Sequence, residues 1–212
     1  MPAKQLPLSM MIAFFLIIVV GRIVLHLIMT GNSGIRSGTK LKTNKAMCIS
    51  ALLSSVLVLQ LILTWLIASE HLKLIFEPVS VVTWSGLTLC AAGIVFSSFA
   101  QYSMGAEWRI GVDPDEETEL VTTGIYAYVR NPIYTGCIVF GTGLLLLAPH
   151  PLFLATGLIG YFSIRAYVKE IEEPYLIELH GDDYREYQSM TCLLYTSPSP
   201  RDRTRSRMPS SA

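Results

Sequence analysis

Three short polar stretches in a very apolar chain hold residue types able to do chemistry. The first, residues 123–136, reads Thr-Gly-Ile-Tyr-Ala-Tyr-Val-Arg-Asn-Pro-Ile-Tyr-Thr-Gly. Asn131 precedes a proline and is pushed out of the helical region. Pro132 suits the first position of a helix and Asn131 its N-cap. Arg130 would then stand beside a helix N-terminus, where free N–H groups, the helix dipole and a guanidinium together attract an anion. An Asn-Pro helix start with Arg130 as an interfacial anchor accounts for the same residues equally well. The second stretch is Lys169-Glu170-Ile171-Glu172-Glu173-Pro174. Two adjacent carboxylates repel, so a cation between them is welcome. Lys169 can supply that charge locally, or Glu173 can cap a new helix starting at Pro174. The third is Trp108-Arg109, followed by an acidic run over 113–119. Arg109 suits an anionic headgroup, although snorkelling to lipid phosphate explains it as simply.

The elements that must position these residues are membrane helices. Hydrophobic residues make up 51% of the chain and charged ones 15%, against about 25% charged in ordinary soluble domains. Apolar runs cover residues 8–28, 46–68, 79–100, 133–148 and 152–168. At about 1.5 Å per residue, the longer runs span the ~30 Å hydrocarbon core. The first run is too long for a signal-peptide core and no small-residue cleavage site follows it, so it reads as a retained anchor. Pro149-His150-Pro151 alone joins the last two runs, which predicts a tight antiparallel helical hairpin. With the N-terminus outside, nine basic residues fall on inner segments (Arg36, Lys40, Lys42, Lys45, Arg109, Arg130, Arg165, Lys169 and Arg185) and two, Lys4 and Lys73, on outer ones. The reading is an all-α polytopic membrane protein of about five transmembrane helices. The hairpin brings the polar stretches before and after it to one cytosolic face, where the site belongs.

Other features point away from other functions. The formal net charge is zero, giving no call for nucleic acid. Cys48, Cys90, Cys137 and Cys192 form no CxxC pair and read as small packing residues, so neither a disulfide framework nor a metal site is expected. Gly141-Thr142-Gly143 lies mid-membrane with no strand before it, which suits close helix packing better than a dinucleotide loop. His180-Gly181 with Asp182 and Asp183 lacks metal-ligand spacing and reads as a helix end and turn. From about Cys192 the chain reads CLLYTSPSPRDRTRSRMPSSA, which has no apolar period, is expected to be disordered, and resembles translated cloning-adaptor sequence. The expected division is a membrane domain over 1–191 and a tail over 192–212.

In order and spacing, these pieces resemble the isoprenylcysteine carboxyl methyltransferase family and its phospholipid methyltransferase relatives. That signature has the form Gly-x-Tyr-x-x-x-Arg-His-Pro-x-Tyr-x-Gly, a helical hairpin, then Glu-Glu-x-x-Leu and Gly-x-x-Tyr-x-x-Tyr. Here the positions are Gly124, Tyr126, Arg130, Asn131, Pro132, Tyr134 and Gly136, then Glu172, Glu173 and Leu176, then Gly181, Tyr184 and Tyr187. The likeness covers roughly residues 100–190. It implies a methyltransferase that uses S-adenosylmethionine without a Rossmann fold and acts on a lipid or prenylated acceptor, such as the carboxylate of a prenylated cysteine. A phospholipid amine methyltransferase, a sterol-reductase-like membrane enzyme and an inactive membrane-binding protein are the competing readings. By the resemblance, Gly124, Tyr126, Arg130, Asn131, Tyr134, Gly136, Glu172 and Glu173 hold the cofactor; Arg130 and Glu173 are expected to carry the transfer, together with Arg109, read from its own position as the holder of an anionic substrate group. Arg130 would take the cofactor carboxylate, Glu172 and Glu173 its ammonium or ribose, and Tyr126 and Tyr134 its adenine or sulfonium. The chain departs from the family at Asn131, which stands where the family has histidine and can orient a group but not move a proton. It departs again after Tyr187, where the family continues into a basic, proline-containing end.

Overall fold

A computed structural model describes residues 3–32, 44–105 and 119–191. Arg109, the acidic run over 113–118, the loop holding Arg36, Lys40 and Lys42, and the tail from Cys192 lie outside these residues. Every regular element among those described is helical. Helix α1 spans Leu6–Thr30, α2 Asn44–Ala68, α3 Ser80–Met104, α4 Pro132–Leu147 and α5 Pro151–Tyr167; a π-helical turn, Val168–Glu172, leads into α6, Glu173–Met190. The protein is an integral, multi-pass membrane protein. α1, α2, α3 and the α5–α6 unit are long and apolar enough to cross a membrane. The apolar α4 has 16 residues. At ~1.5 Å each it is a few ångströms short of the hydrocarbon core.

Helix ends fall where the local chemistry puts them. α1 stops at Gly31, whose φ of 75° is left-handed and whose N–H bonds Leu27 O at 2.9 Å. Pro132 and Pro151 open α4 and α5. At the hairpin, His150 caps α5 by accepting the Leu152 N–H on Nδ1 at 3.2 Å. The chain does not break at Pro174, which stands in the first turn of α6. Pro174 lacks the N–H for a normal α-helical bond, and the turn before it widens: the Glu173 N–H reaches back to Val168 O, five residues away. The chain then runs on through α6, kinked at Gly181 with φ 57° and ψ −123°.

The hairpin helices are antiparallel, but the main partner of α4 is α3, while α5 leans on α2. Glycines decide this. A Cβ at Gly93 would lie 2.7 Å from Gly136 O and Phe140 N, and one at Gly143 would lie 2.7 Å from Cys90 N and Gly86 O. Gly86 and Gly93 on α3 thus face Gly136 and Gly143 on α4, and their backbones touch. Phe140 on the same face stacks on Phe14 of α1, ring centroids 4.3 Å apart. Met11, Ile18, Leu63, Ile67 and Leu144 complete this core. Gly141 has nothing within 4 Å of its would-be Cβ and faces away.

Candidate functional site

The two polar stretches flanking the hairpin meet at one end of the bundle. Gly124, at φ 62°, uses its left-handed freedom to open the short 3₁₀ turn Gly124–Ala127. That turn places Tyr126 against α3, where its hydroxyl donates to Ala100 O at 3.3 Å. The Tyr126 carbonyl accepts the Tyr187 hydroxyl of α6 at 2.7 Å. Arg130 Nη1 lies 3.0 Å from Glu173 Oε1, with only 14% and 15% of the two side chains exposed. Tyr134, in the first turn of α4, donates its hydroxyl to Glu172 Oε1 at 2.6 Å. Tyr184 and Tyr187 adjoin the pair, ring centroids 5.9 Å apart.

The electrostatics follow from this crowding. Burial pushes the Glu172 carboxyl up to about 7; the Tyr134 hydroxyl bond pulls it back, and the Glu173 carboxylate pushes it further up. Burial likewise raises the hydroxyls of Tyr126, Tyr184 and Tyr187, so all three stay neutral donors. Arg130 and Glu173 form an ion pair. Arg130 Nε and Glu173 Oε1 are buried and have no hydrogen-bond partner among the described residues. Such groups are costly unless something else satisfies them.

The structure arranges the expected site residues differently from a simple two-pole site. Arg130 and Glu173, expected at opposite charges of a ligand, pair with each other. Asn131 occupies the N-cap position of α4, but its side chain makes no capping bond; its carbonyl takes the Thr135 N–H and hydroxyl, both at 3.1 Å. Tyr134 and Tyr126 direct their hydroxyls to protein oxygens. Gly136 stands apart, pressed against Gly93 and Ser97 of α3, so its smallness serves helix packing. Arg109 lies outside the described residues. Sequence reasoning passed over Arg22 and Gln101. Arg22 is 3% exposed on α1 and its Nη2 donates to Gly105 O, while Gln101 Nε2 donates to Ile18 O at 3.0 Å. The signal was there: an arginine inside an apolar span is costly and rarely idle.

Residues 81–183 match the phospholipid methyltransferase family model. That stretch, from α3 into α6, has the family's pattern. The chain is 31% identical over 113 residues to the protein-S-isoprenylcysteine O-methyltransferase of Schizosaccharomyces pombe, covering 51% of this chain and 47% of that one. It is 33% identical over 109 residues to the same-named protein of Saccharomyces cerevisiae, covering 49% and 44%. It is 41% identical over 71 residues to methanethiol S-methyltransferase 1 of Bradyrhizobium diazoefficiens, covering 33% and 24%. The chain thus spans about half the length of the isoprenylcysteine relatives it matches. A solved eukaryotic intramembrane Ras methyltransferase, an isoprenylcysteine carboxyl methyltransferase, shares the fold: TM-score 0.58 at 18% identity, covering 91% of this chain and 67% of that one. The resemblance carried by the motifs therefore extends to sequence and to fold, and the relatives are methyltransferases.

Proposed function

We propose that the chain transfers a methyl group from S-adenosylmethionine to a lipophilic acceptor at the membrane, the acceptor being the C-terminal carboxylate of a prenylated cysteine. The observation that carries this reading is the largely buried Arg130–Glu173 pair beside Tyr134–Glu172, at the end of membrane helices within the family-matched stretch. The residues fit the donor. Arg130 Nε has an N–H to give a carboxylate, and Glu173 Oε1, which accepts no hydrogen bond among the described residues, can accept one from an ammonium. A zwitterionic amino-acid end can thus exchange partners with the pair instead of finding two lone charges. Glu172, held by Tyr134, adds a second acceptor for the ammonium or for ribose hydroxyls. S-adenosylmethionine, when bound, supplies an electrophilic methyl group on a sulfonium. The protein's part is to orient donor and acceptor in line and to exclude water, which is where the rate of such a transfer comes from. A carboxylate acceptor needs no base, so Asn131 in the histidine position is no obstacle to this reaction. The excess of basic residues on the segments that flank the site supports a site on the cytosolic face.

An amine acceptor, as in a phospholipid headgroup, is the second reading. Glu172 favours it, since a carboxyl near 7 can take the proton an amine must lose. The test is methyl transfer by detergent-solubilised protein from labelled S-adenosylmethionine to a farnesylated N-acetylcysteine, with phosphatidylethanolamine vesicles in parallel. Label in the farnesylated acid supports the first reading, and label only in the phospholipid replaces it with the second. Absence of any S-adenosylmethionine binding would overturn both.

A further inference from the structure

The first helix lies outside the family-matched stretch, yet its buried face ends in ionisable groups. Pro7, Met11, Phe14, Ile18, Arg22 and His26 recur every three or four residues and are all buried. A plain anchor needs nothing but apolar side chains there. An intramembrane arginine is expensive to insert and is kept where it binds something specific.

The helix is built to present it. Residues Phe15–Gly21 form a π-helical turn, and the Arg22 N–H bonds Val19 O and not Ile18 O. Ile18 O therefore lacks its ordinary α-helical donor, and Gln101 of α3 supplies one at 3.0 Å. Four residues on along both helices, Arg22 Nη2 donates to Gly105 O, the carbonyl at the C-terminus of α3. Positive charge is favourable at that pole of the helix dipole. The two bonds form parallel rungs, Ile18–Gln101 and Arg22–Gly105, between α1 and α3. The second rung also reaches the site. The segment that carries Tyr126 packs on the same end of α3: Tyr126 is tied to Ala100 O on one side and to Tyr187 on the other, and a Cβ at Gly124 would lie 4.0 Å from Ser103 Oγ. Arg130 follows four residues later in the same turn-rich block.

We propose that Arg22 is a positioning residue for the site: through Gly105 and the neighbouring Tyr126 it holds the 123–131 segment in register with α6. The first helix is then a working part of the site and not only an anchor. The functional half of this inference rests on the donor-binding reading above; the structural half does not.

The experiment compares full-length parent, Arg22→Met, Arg22→Lys and Gln101→Leu in detergent by amide hydrogen exchange and by S-adenosylmethionine titration. The reporters are the amides of Tyr126, Tyr128 and Val129, bonded to Thr123 O and Ile125 O at 3.2 Å. Arg22→Met should speed their exchange and weaken donor binding, each by about tenfold, the worth of one charged hydrogen bond. Arg22→Lys, which keeps the charge, should recover most of both. Gln101→Leu removes the other rung and should lower the melting temperature with those amides and the donor affinity near parental values. Unchanged exchange over 123–131 in Arg22→Met overturns the proposal, as does an equal change in Gln101→Leu, which would make Arg22 a packing residue. If Arg22→Met does not fold, failure of Arg22→Lys to restore parental exchange overturns it as well. A parent that binds no donor sinks the proposed function alone, and the exchange rates still decide the role of Arg22.

Discussion

The α3–α4 interface and the polar cluster at the N-terminal end of α4 lie on the same helix and hold it in opposite ways. Along the interface, Gly86, Gly93, Gly136 and Gly143 bring backbone to backbone, and no charge is involved. One turn before Gly136, Arg130, Tyr134, Glu172 and Glu173 meet through charges and hydroxyls, with buried polar atoms left over. The interface is finished: every close approach is already made, and any added atom must displace backbone. The cluster is unfinished, because Arg130 Nε and Glu173 Oε1 are buried there without a hydrogen-bond partner among the described residues. Steric fit fixes where α4 stands; charges and hydroxyls organise its end.

The sharpest way to break the comparison is to overfill the finished side. Gly93→Ala puts a methyl 2.7 Å from two backbone atoms of α4, Gly136 O and Phe140 N, and neither can rotate away. Overpacking of this kind costs about 1–3 kcal/mol or more, and Gly93→Leu should prevent folding altogether. Gly141→Ala, with open space around its Cβ, should be neutral or stabilise by up to ~1 kcal/mol through helix propensity. Thermal unfolding in detergent separates the two. Equal melting temperatures for Gly93→Ala and Gly141→Ala would mean that α3 and α4 do not touch there.

Next in size is loss of the partners proposed for the methyl donor. Arg130→Ala and Glu173→Gln should each weaken S-adenosylmethionine binding roughly tenfold or more, since a hydrogen bond to a charged group is worth about 1.5–3 kcal/mol. Lys4→Ala, at an exposed pair with Glu70 across 3.1 Å at the other end of the bundle, should leave binding unchanged. Calorimetry on the three variants decides. Parental affinity in both site variants would move the donor elsewhere.

How far the sequence already told this story differs between the two regions. The helices were legible, because long apolar runs have one physical meaning in a membrane; observed ends fall within four residues of the apolar runs. Gly143 was legible as a packing glycine by its place mid-membrane. Gly136 was not, because a motif glycine next to Tyr134 reads as part of the same site, and only the helix rotation shows it facing α3. Arg130, Tyr134, Glu172 and Glu173 were legible as a group through motif order. Their pairing with one another was not, since adjacency in a motif says nothing about which charges touch. The π-turn at Val168–Glu172 was hidden too: proline announces a broken bond, but whether the helix stops or widens depends on what packs around it. Arg22 was visible as a charge in a span, while its partner Gly105 lies 83 residues away.

Protonation should sharpen the contrast further, with a smaller effect. Glu172 titrates near 7, above its ordinary 4.5, and the interface has no group that titrates in this range. A carboxyl raised on folding contributes stability that is full below about 4.5 and is lost as pH rises through about 7. The ligand-free protein should therefore melt lower at pH 8 than at pH 5.5 on this account. Donor binding should run the other way, because only the ionised carboxylate holds a cation, and affinity should rise through pH 7. Glu172→Gln should flatten both profiles. Tyr134→Phe removes the hydroxyl that favours the ionised form and should shift the midpoint upward. Profiles identical in parent and Glu172→Gln would show that another group titrates.

The smallest expected effect comes from a guanidinium–carboxylate pair that differs from Arg130–Glu173 in burial. Arg185 Nη1 and Asp182 Oδ1 lie 2.6 Å apart on α6, closer than the site pair, with 61% and 94% of their side chains exposed. Distance alone would make this the stronger interaction. Solvent screening and the entropy of two free side chains reverse that order, and such i,i+3 surface pairs are worth about 0–1 kcal/mol. Arg185 also immediately follows Tyr184 and precedes Tyr187 by two residues, so it tests whether charge near the cluster is enough to matter. Arg185→Ala should change the melting temperature barely and the S-adenosylmethionine affinity by less than about twofold. In 0.5 M salt, parent and variant should become indistinguishable, while Arg130→Ala should keep its defect because a largely buried pair is screened much less. A tenfold loss of affinity in Arg185→Ala would show that the methyl donor reaches out to the exposed face of α6, and the distinction between a buried, ligand-exchanging pair and a surface one would fail.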